Sequence, residues 1–255
     1  MKNQYKKKIK IFGTVIDNIL LEELFDKVDH LIQYQKKGYV VTPNVDHLVK
    51  LENDAYFNKI YDNAYLRLND SVIIKRAARM LGKRMAPKLS GSDLLPIISK
   101  YASQKNYTLY FLGGREGVAK TAAEKLKEKY PELNVIGYYS PPFGFEKDQE
   151  EIRKIVSQIN QCAPNILFVG LGAPKQEKFA YETIDQLDTN VIFCTGAAFD
   201  FQAGNVKRAP ILFQKSGLEW FYRFLKEPRR LFKRYFVDDL KFLKIFLKEV
   251  RNRGN

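Results

Sequence analysis

Six short, apolar, β-rich runs alternate along this chain with longer segments of helical period, and that alternation restricts it to an α/β architecture. The runs occupy residues 39–41, 65–68, 108–112, 134–138, 166–169 and 191–194. Residues 22–35, 45–53, 71–81, 93–105, 117–130, 148–161 and 176–186 place apolar side chains three and four apart, as helices do. Strands that are apolar throughout are buried on both faces, and strands joined by helices run parallel. The expected fold is a Rossmann-like, mainly parallel sheet flanked by helices. No internal repeat or low-complexity stretch interrupts it.

The segments that follow these runs are dense in small and polar residues: TPNVD at 42–46, LND at 68–70, LGG at 112–114, GLGAPKQE at 170–177 and TGAAFD at 195–200. Open α/β sheets bind ligands at the carboxyl ends of their strands, where such loops converge. Small residues let backbone N–H groups approach a phosphate, and a following helix N-terminus adds a favourable dipole. A nucleotide or nucleotide-sugar is the expected guest. Gly170 and Gly172 begin a G-x-G, but Lys175 occupies the third glycine position, so the dinucleotide fingerprint fails, and no G-x-x-x-x-G-K-[ST] occurs. The Asp-x-Asp pair that holds a divalent metal against many sugar-nucleotide diphosphates is also missing. Protein cations and backbone dipoles would then stabilise a departing diphosphate, and neither metal nor cofactor is expected.

The net charge of +14 is unevenly placed. Residues 1–10 carry five Lys and no acid, residues 11–206 carry 24 basic and 24 acidic side chains, and residues 207–255 carry 14 and 5. This divides the chain into an α/β body, 1–206, and a basic appendage, 207–255. With 45% hydrophobic and 28% charged residues the chain is neither disordered nor collagenous. It has no apolar run long enough to span a bilayer, and MKNQYKKKIKIFG lacks the apolar centre of a signal peptide, so a cytoplasmic location is expected. Cys162 and Cys194 lack metal-site or redox spacing and read as reduced core residues. With only His30 and His47 present, a histidine-based triad has little to draw on, and His47 reads as a satisfied core or surface histidine.

In the appendage, Pro228 starts or breaks a helix. Beyond it Phe232, Phe236, Leu243, Phe246, Leu247 and Val250 recur at mostly helical intervals, flanked by Lys233, Arg234, Lys241, Lys244 and Lys248. Amphipathic helices of this kind lie in anionic membrane interfaces, where each basic residue contributes about 1 kcal/mol. The competing use of the same stripe is packing on the body with solvated lysines.

The strings TPNVDHLV, LNDSVIIKRAARMLG, SGSDLL, FLGGREGVA, GYYSPPFGF, VGLGAPKQEKF, TGAAFDFQAG, KRAP and GLEWFYRFLKEPRRLFKRY occur in this order. Together they closely resemble the WecG/TagA/CpsF family, glycosyltransferase family 26, over nearly the whole chain. The resemblance implies an inverting transfer of N-acetylmannosamine from UDP-N-acetylmannosamine to undecaprenyl-diphosphate-N-acetylglucosamine, through a β-1,4 linkage. The setting it implies is wall teichoic acid or a related surface polysaccharide, at the inner face of the cell membrane. It also implies metal independence.

On that resemblance, Asp70 is the expected catalytic base, taking the acceptor hydroxyl proton; capping the helix that follows is its competing role. The family normally has A-D-G where this chain has Asn69-Asp70-Ser71. Thr42 and Asn44 are expected to hold sugar hydroxyls, against turn and cap roles around Pro43, and Gln176 to serve the sugar or diphosphate. Gly113, Gly114, Gly170 and Gly172 would admit the uridine diphosphate, or act as turn glycines alone. Lys175, Arg84 and Asp200 complete the expected binding set, each with a bland surface or capping alternative. Arg223 and Arg230 are the preferred leaving-group partners, because the family's appendage is implicated in membrane targeting and in completing the active site. UDP-glucose or another UDP-hexose, for exopolysaccharide, is the alternative donor, and a homo-oligomer is left open. A nucleic-acid-binding protein is a further alternative, disfavoured by the missing motifs, as is an NAD-dependent oxidoreductase by the failed fingerprint. Nucleic acid is therefore not an expected partner.

Overall fold

The computed structural model describes residues 5–252, apart from five side chains between 211 and 230. The chain opens with an antiparallel hairpin, β1 (Lys8–Ile11) and β2 (Thr14–Asp17), which turns at Phe12 and Gly13, both at positive φ. Charge alone marks this segment only as a basic tip. Lys8 and Lys10 are the outward residues of β1, and Ile9 and Ile11 its buried ones.

The remainder runs α1 (Leu21–Gln33), β3 (Gly38–Val41), α2 (Val45–Asn53), α3 (Ala55–Asn63), β4 (Leu66–Arg67), α4 (Val72–Met80) and α5 (Gly91–Lys105). It continues through β5 (Thr108–Gly113), α6 (Val118–Lys129), β6 (Asn134–Tyr139), α7 (Gln149–Cys162), β7 (Ile166–Gly170), α8 (Lys175–Thr183), β8 (Val191–Cys194) and α9 (Ala198–Ala203). Each of the six expected strands is present. Side-chain caps explain several helix starts: Asp54 accepts from Phe57 N–H, Ser71 from Ile73 and Ile74 N–H, and Asp148 from Glu150 and Glu151 N–H. Asp54 ends α2, at the bound expected from the sequence, and starts α3, a helix that the periodicity did not predict.

The six strands form a parallel sheet in the order β4-β3-β8-β7-β5-β6. Alternate strand residues feed two cores. Tyr110, Leu112, Leu167, Val169 and Ile192 face α2, α3, α4, α7 and α8, while Leu109, Phe111, Ile166, Phe168 and Phe193 face α1, α5, α6 and α9. The helices after β5 and β7, α6 and α8, therefore lie on opposite faces, so these neighbouring strands form a topological switch point. At the β4 edge, Asp17 of the hairpin accepts from Arg67 N–H (2.9 Å) and Nε (3.0 Å) and lies 2.9 Å from its Nη2, a buried pair joining hairpin to sheet.

After α9 come α10 (Ile211–Ser216), α11 (Glu219–Lys226), α12 (Pro228–Lys233) and α13 (Phe242–Arg251), the last two joined by a π-turn over 234–238 and a 3₁₀ turn over 239–241. Pro228 stands in the first turn of α12, where its missing N–H costs nothing. Leu231, Phe242 and Ile245 are buried, and Phe246 packs partly on the body beside Phe12. The expected apolar stripe divides: Phe232, Leu243, Leu247 and Val250 face outward, Phe236 packs against Trp220 and Phe224 within the appendage, and of that set only Phe246 packs on the body. The wide turn adds a residue to one helical repeat, so counting from Phe232 loses phase before Phe242. No helix among the described residues is long and apolar enough to cross a membrane.

Candidate active site

Two clefts adjoin at the carboxyl ends of the strands, on either side of α9. The larger, about 1160 Å³, opens at the switch point between β5 and β7. The smaller, about 370 Å³, lies between the loops after β3 and β4 and the appendage. Asp200 lines the first and Phe201 the second, so consecutive residues of α9 separate them.

Gly114, Gly170, Gly172, Lys175 and Asp200 of the expected set line the larger cleft. Gly113 does not. A Cβ on Gly113 would stand 2.5 Å from the Gly170 carbonyl oxygen, so this glycine is required by the close approach of β5 and β7. Gly114 N–H donates to the same oxygen (3.1 Å). Gly172, at φ +76°, turns into α8 with open space where a side chain would be. Lys175 Nζ pairs with Glu146 (2.6 Å) and sits 4.8 Å from the centre of the fully exposed Phe143 ring. Ion pairing holds the Glu146 carboxyl below its ordinary range. Arg115, Lys120 and Lys154 also line this cleft, cations that the sequence reading passed over although two of them lie in or beside its FLGGREGVA string.

Asn44 and Asp70 line the smaller cleft with Asp46, Lys88, Arg234 and Trp220. The Asp70 backbone N–H donates to the Pro43 carbonyl (3.1 Å), which ties the loop after β4 to the TPN loop. Capping of α4 falls to the Ser71 hydroxyl, and the role that competed for Asp70 is thus filled by its neighbour. Asn44 does cap: its Oδ1 accepts from His47 N–H (3.2 Å) at the start of α2.

Arg234 comes from the π-turn and reaches Asp46 (3.8 Å), which also pairs with Lys50. Burial pushes the Asp46 carboxyl up, but Arg234 and Lys50 outweigh it and hold the group below its usual range. Asp239 is pushed up to about 6 by burial, against the attraction of Arg234. Arg234 Nε and Asp239 Oδ1 are buried without hydrogen-bond partners. At the rim Lys88 pairs with Asp93 (3.2 Å), which also binds Arg208 (2.6 Å).

Other expected residues have different places. Thr42 is buried and donates its hydroxyl to the Cys194 carbonyl (3.3 Å), bracing β3 against β8. Gln176 is buried with its amide engaged by Gly196 and Glu177. Arg84 is exposed and lines neither cleft; Lys88, four residues on, is the cation that does, a distinction no local pattern encodes. The Arg223 and Arg230 side chains lie outside the described residues. His47 is buried with Nδ1 2.6 Å from the Tyr61 hydroxyl, and burial lowers it to about 3, so it is neutral at working pH. Cys162 and Cys194 are free thiols, and among the described residues no group of three or more His, Cys, Asp or Glu could hold a metal ion.

A doubly wound α/β domain with a glycine-lined switch-point cleft, and beside it a carboxylate among cations, belongs to the nucleotide-dependent transferase class in its architecture. Residues 9–255 match the glycosyl transferase WecG/TagA/CpsF family, and the chain belongs to that family. It is 30% identical over 212 residues to an N-acetylglucosaminyldiphosphoundecaprenol N-acetyl-beta-D-mannosaminyltransferase of Bacillus spizizenii, covering 82% of this chain and 80% of that one. Proteins of the same name from Bacillus subtilis (28% identity; 89% and 87% covered) and Staphylococcus aureus strain MW2 (25%; 95% and 92%) are also similar.

Proposed function

We propose that this enzyme transfers N-acetylmannosamine from UDP-N-acetylmannosamine to undecaprenyl-diphosphate-N-acetylglucosamine, with inversion and a β-1,4 linkage, in wall teichoic acid or related polysaccharide synthesis. The observation that supports this reading is the cleft that Asp70 lines with Lys88 and Arg234, while Ser71 caps α4. The uridine diphosphate occupies the larger cleft, against the Gly114, Gly170 and Gly172 backbone and the side chains of Arg115, Lys120 and Lys175. The donor sugar crosses the first turn of α9 toward Asp70, with Asn44 beside it.

The acceptor hydroxyl oxygen attacks the anomeric carbon as its proton passes to the Asp70 carboxylate. The bond from that carbon to the phosphate oxygen breaks, and UDP leaves with the electron pair. The cations of the larger cleft stabilise the leaving charge without a metal. Lys88 and Arg234 receive the acceptor's own diphosphate. The apolar wall of the smaller cleft, Phe236, Leu240 and Phe242, leads its lipid toward the outward residues of the appendage, which rest on an anionic membrane surface.

Asp70→Asn should lower turnover about 10²- to 10⁴-fold while UDP-sugar binding persists. Near-normal turnover would refute the role. A panel of UDP-sugars with a short-chain lipid-diphosphate-N-acetylglucosamine, with EDTA present, tests donor and metal independence through product mass and UDP release. Preference for UDP-glucose would replace the proposed donor. Leu243→Glu with Leu247→Glu should reduce both liposome binding and turnover on a lipid acceptor, and unchanged liposome binding would refute the docking.

A further inference from the structure

Beneath the larger cleft lies a carboxyl group to which the proposed reaction gives no part. Glu177, in the first turn of α8, is 0% exposed. Its Oε1 accepts from Gln176 Nε2 (2.7 Å), and its Oε2 is buried without a hydrogen-bond partner. The Gln176 amide oxygen in turn accepts from Gly196 N–H (2.9 Å). Gly196, at φ +59°, turns the chain out of β8, and Gly196 and Ala197 form part of the cleft wall.

An amide has two ends of equal shape and opposite hydrogen-bonding sense, so its orientation is set by its neighbours. Gly196 N–H selects the oxygen end, and a neighbour that accepts from the buried nitrogen end reinforces that orientation and holds the amide in place. A carboxylate accepts and does not donate. A leucine would fill the same space at lower desolvation cost but would leave the amide nitrogen unpaired.

We infer that Glu177 is a positioning residue for donor binding: it fixes the Gln176 amide, and through it the Gly196–Ala197 turn at the wall of the larger cleft. This rests on the assignment of that cleft to the UDP-sugar. Burial pushes the Glu177 carboxyl up to about 7, so its acceptor-only form prevails above neutrality. The charged and titratable groups around it are Tyr61 of α3, Cys194 of β8, and Asp46 and Lys50 of α2. Tyr61 and Cys194 are both held protonated by burial, which leaves Glu177 as the group of this set that changes charge near neutral pH.

The test compares wild type, Glu177→Gln and Glu177→Leu in the full chain. UDP binding is read by calorimetry, and donor KM and kcat by UDP-sugar turnover, at pH 8. The leucine variant should weaken UDP binding and raise donor KM about tenfold, the effect of one buried hydrogen bond, with kcat changed far less. The glutamine variant, whose side-chain carbonyl still accepts from Gln176, should keep wild-type affinity at pH 8. Wild-type affinity in the leucine variant, or a glutamine variant that loses as much affinity as the leucine variant, overturns the inference alone. Failure of wild type to bind UDP overturns the cleft assignment and this inference with it.

Discussion

Replacing Phe242 with alanine should loosen the end of the appendage while leaving the body folded. Phe242 is 8% exposed, and its ring meets Phe12 of the hairpin turn edge-to-face at 5.1 Å. Deleting a buried phenyl side chain costs about 3–5 kcal/mol. Because α13 lies on the outside of the core and can settle into the gap, the lower end, about 3 kcal/mol, applies. The other ties are Ile245, part of Phe246, and the polar contacts of Glu249 with Lys83 (2.9 Å) and Phe12 N–H (3.2 Å) and of Lys248 with Glu52 (2.7 Å). Partly exposed pairs of this kind contribute about 0–1 kcal/mol each and do not make up the loss. Amide hydrogen exchange in α13 should therefore speed up by about 10²-fold, while exchange in β7 and β8 stays near wild type. Leu243→Ala, on the outward side at 59% exposure, should shift exchange little. If β7 and β8 accelerate in step with α13, or if α13 does not respond, the reasoning that apolar contact with the hairpin holds this helix down is refuted.

Three further outcomes are expected. Ser71→Ala should lower stability to urea by about 1 kcal/mol, and Asp70→Asn by less; the reverse order would return the cap to Asp70. Asp17→Ala strands the buried Arg67 guanidinium and should cost about 3–5 kcal/mol, read as a lowered denaturation midpoint, and an unchanged midpoint would show that the pair does not anchor the hairpin. Glu177 holds its proton to about pH 7 when folded, against 4.5 when exposed, so it penalises the folded state increasingly as pH rises through that interval. Glu177→Gln removes the penalty, and its stability relative to wild type should rise by about 3 kcal/mol between pH 4.5 and 8; a difference constant with pH would contradict the burial.

The strands of the sheet were legible because a central parallel strand is apolar on both faces, and that property is written in consecutive residues. The hairpin was legible in principle, since Lys8, Ile9, Lys10 and Ile11 alternate ahead of Phe12-Gly13, but the lysines read first as charge. The candidate site was legible as a set of loops more than as a set of side chains. Asn44, Asp70, Gly114, Gly170, Gly172, Lys175 and Asp200 do line the clefts. Thr42 and Gln176 instead brace the segments after β3 and β8 from within, and which way a side chain points at the end of a strand or the start of a helix is not a local property.

By itself, then, the sequence determined the class of fold, the strand ends at which a ligand is received and the family, because periodicity and loop composition are carried by neighbours in the chain. The tertiary structure decided which side chains share a cleft. Lys88 lines the same cleft as Asp70, and Arg234 crosses from the far end of the chain to Asp46. It also decided that Ser71 and not Asp70 caps α4, and which residues of the appendage dock and which face outward. Those outcomes depend on strand order, on the phase lost in one π-turn and on burial shared between distant segments. Such energies exist only once the parts have met.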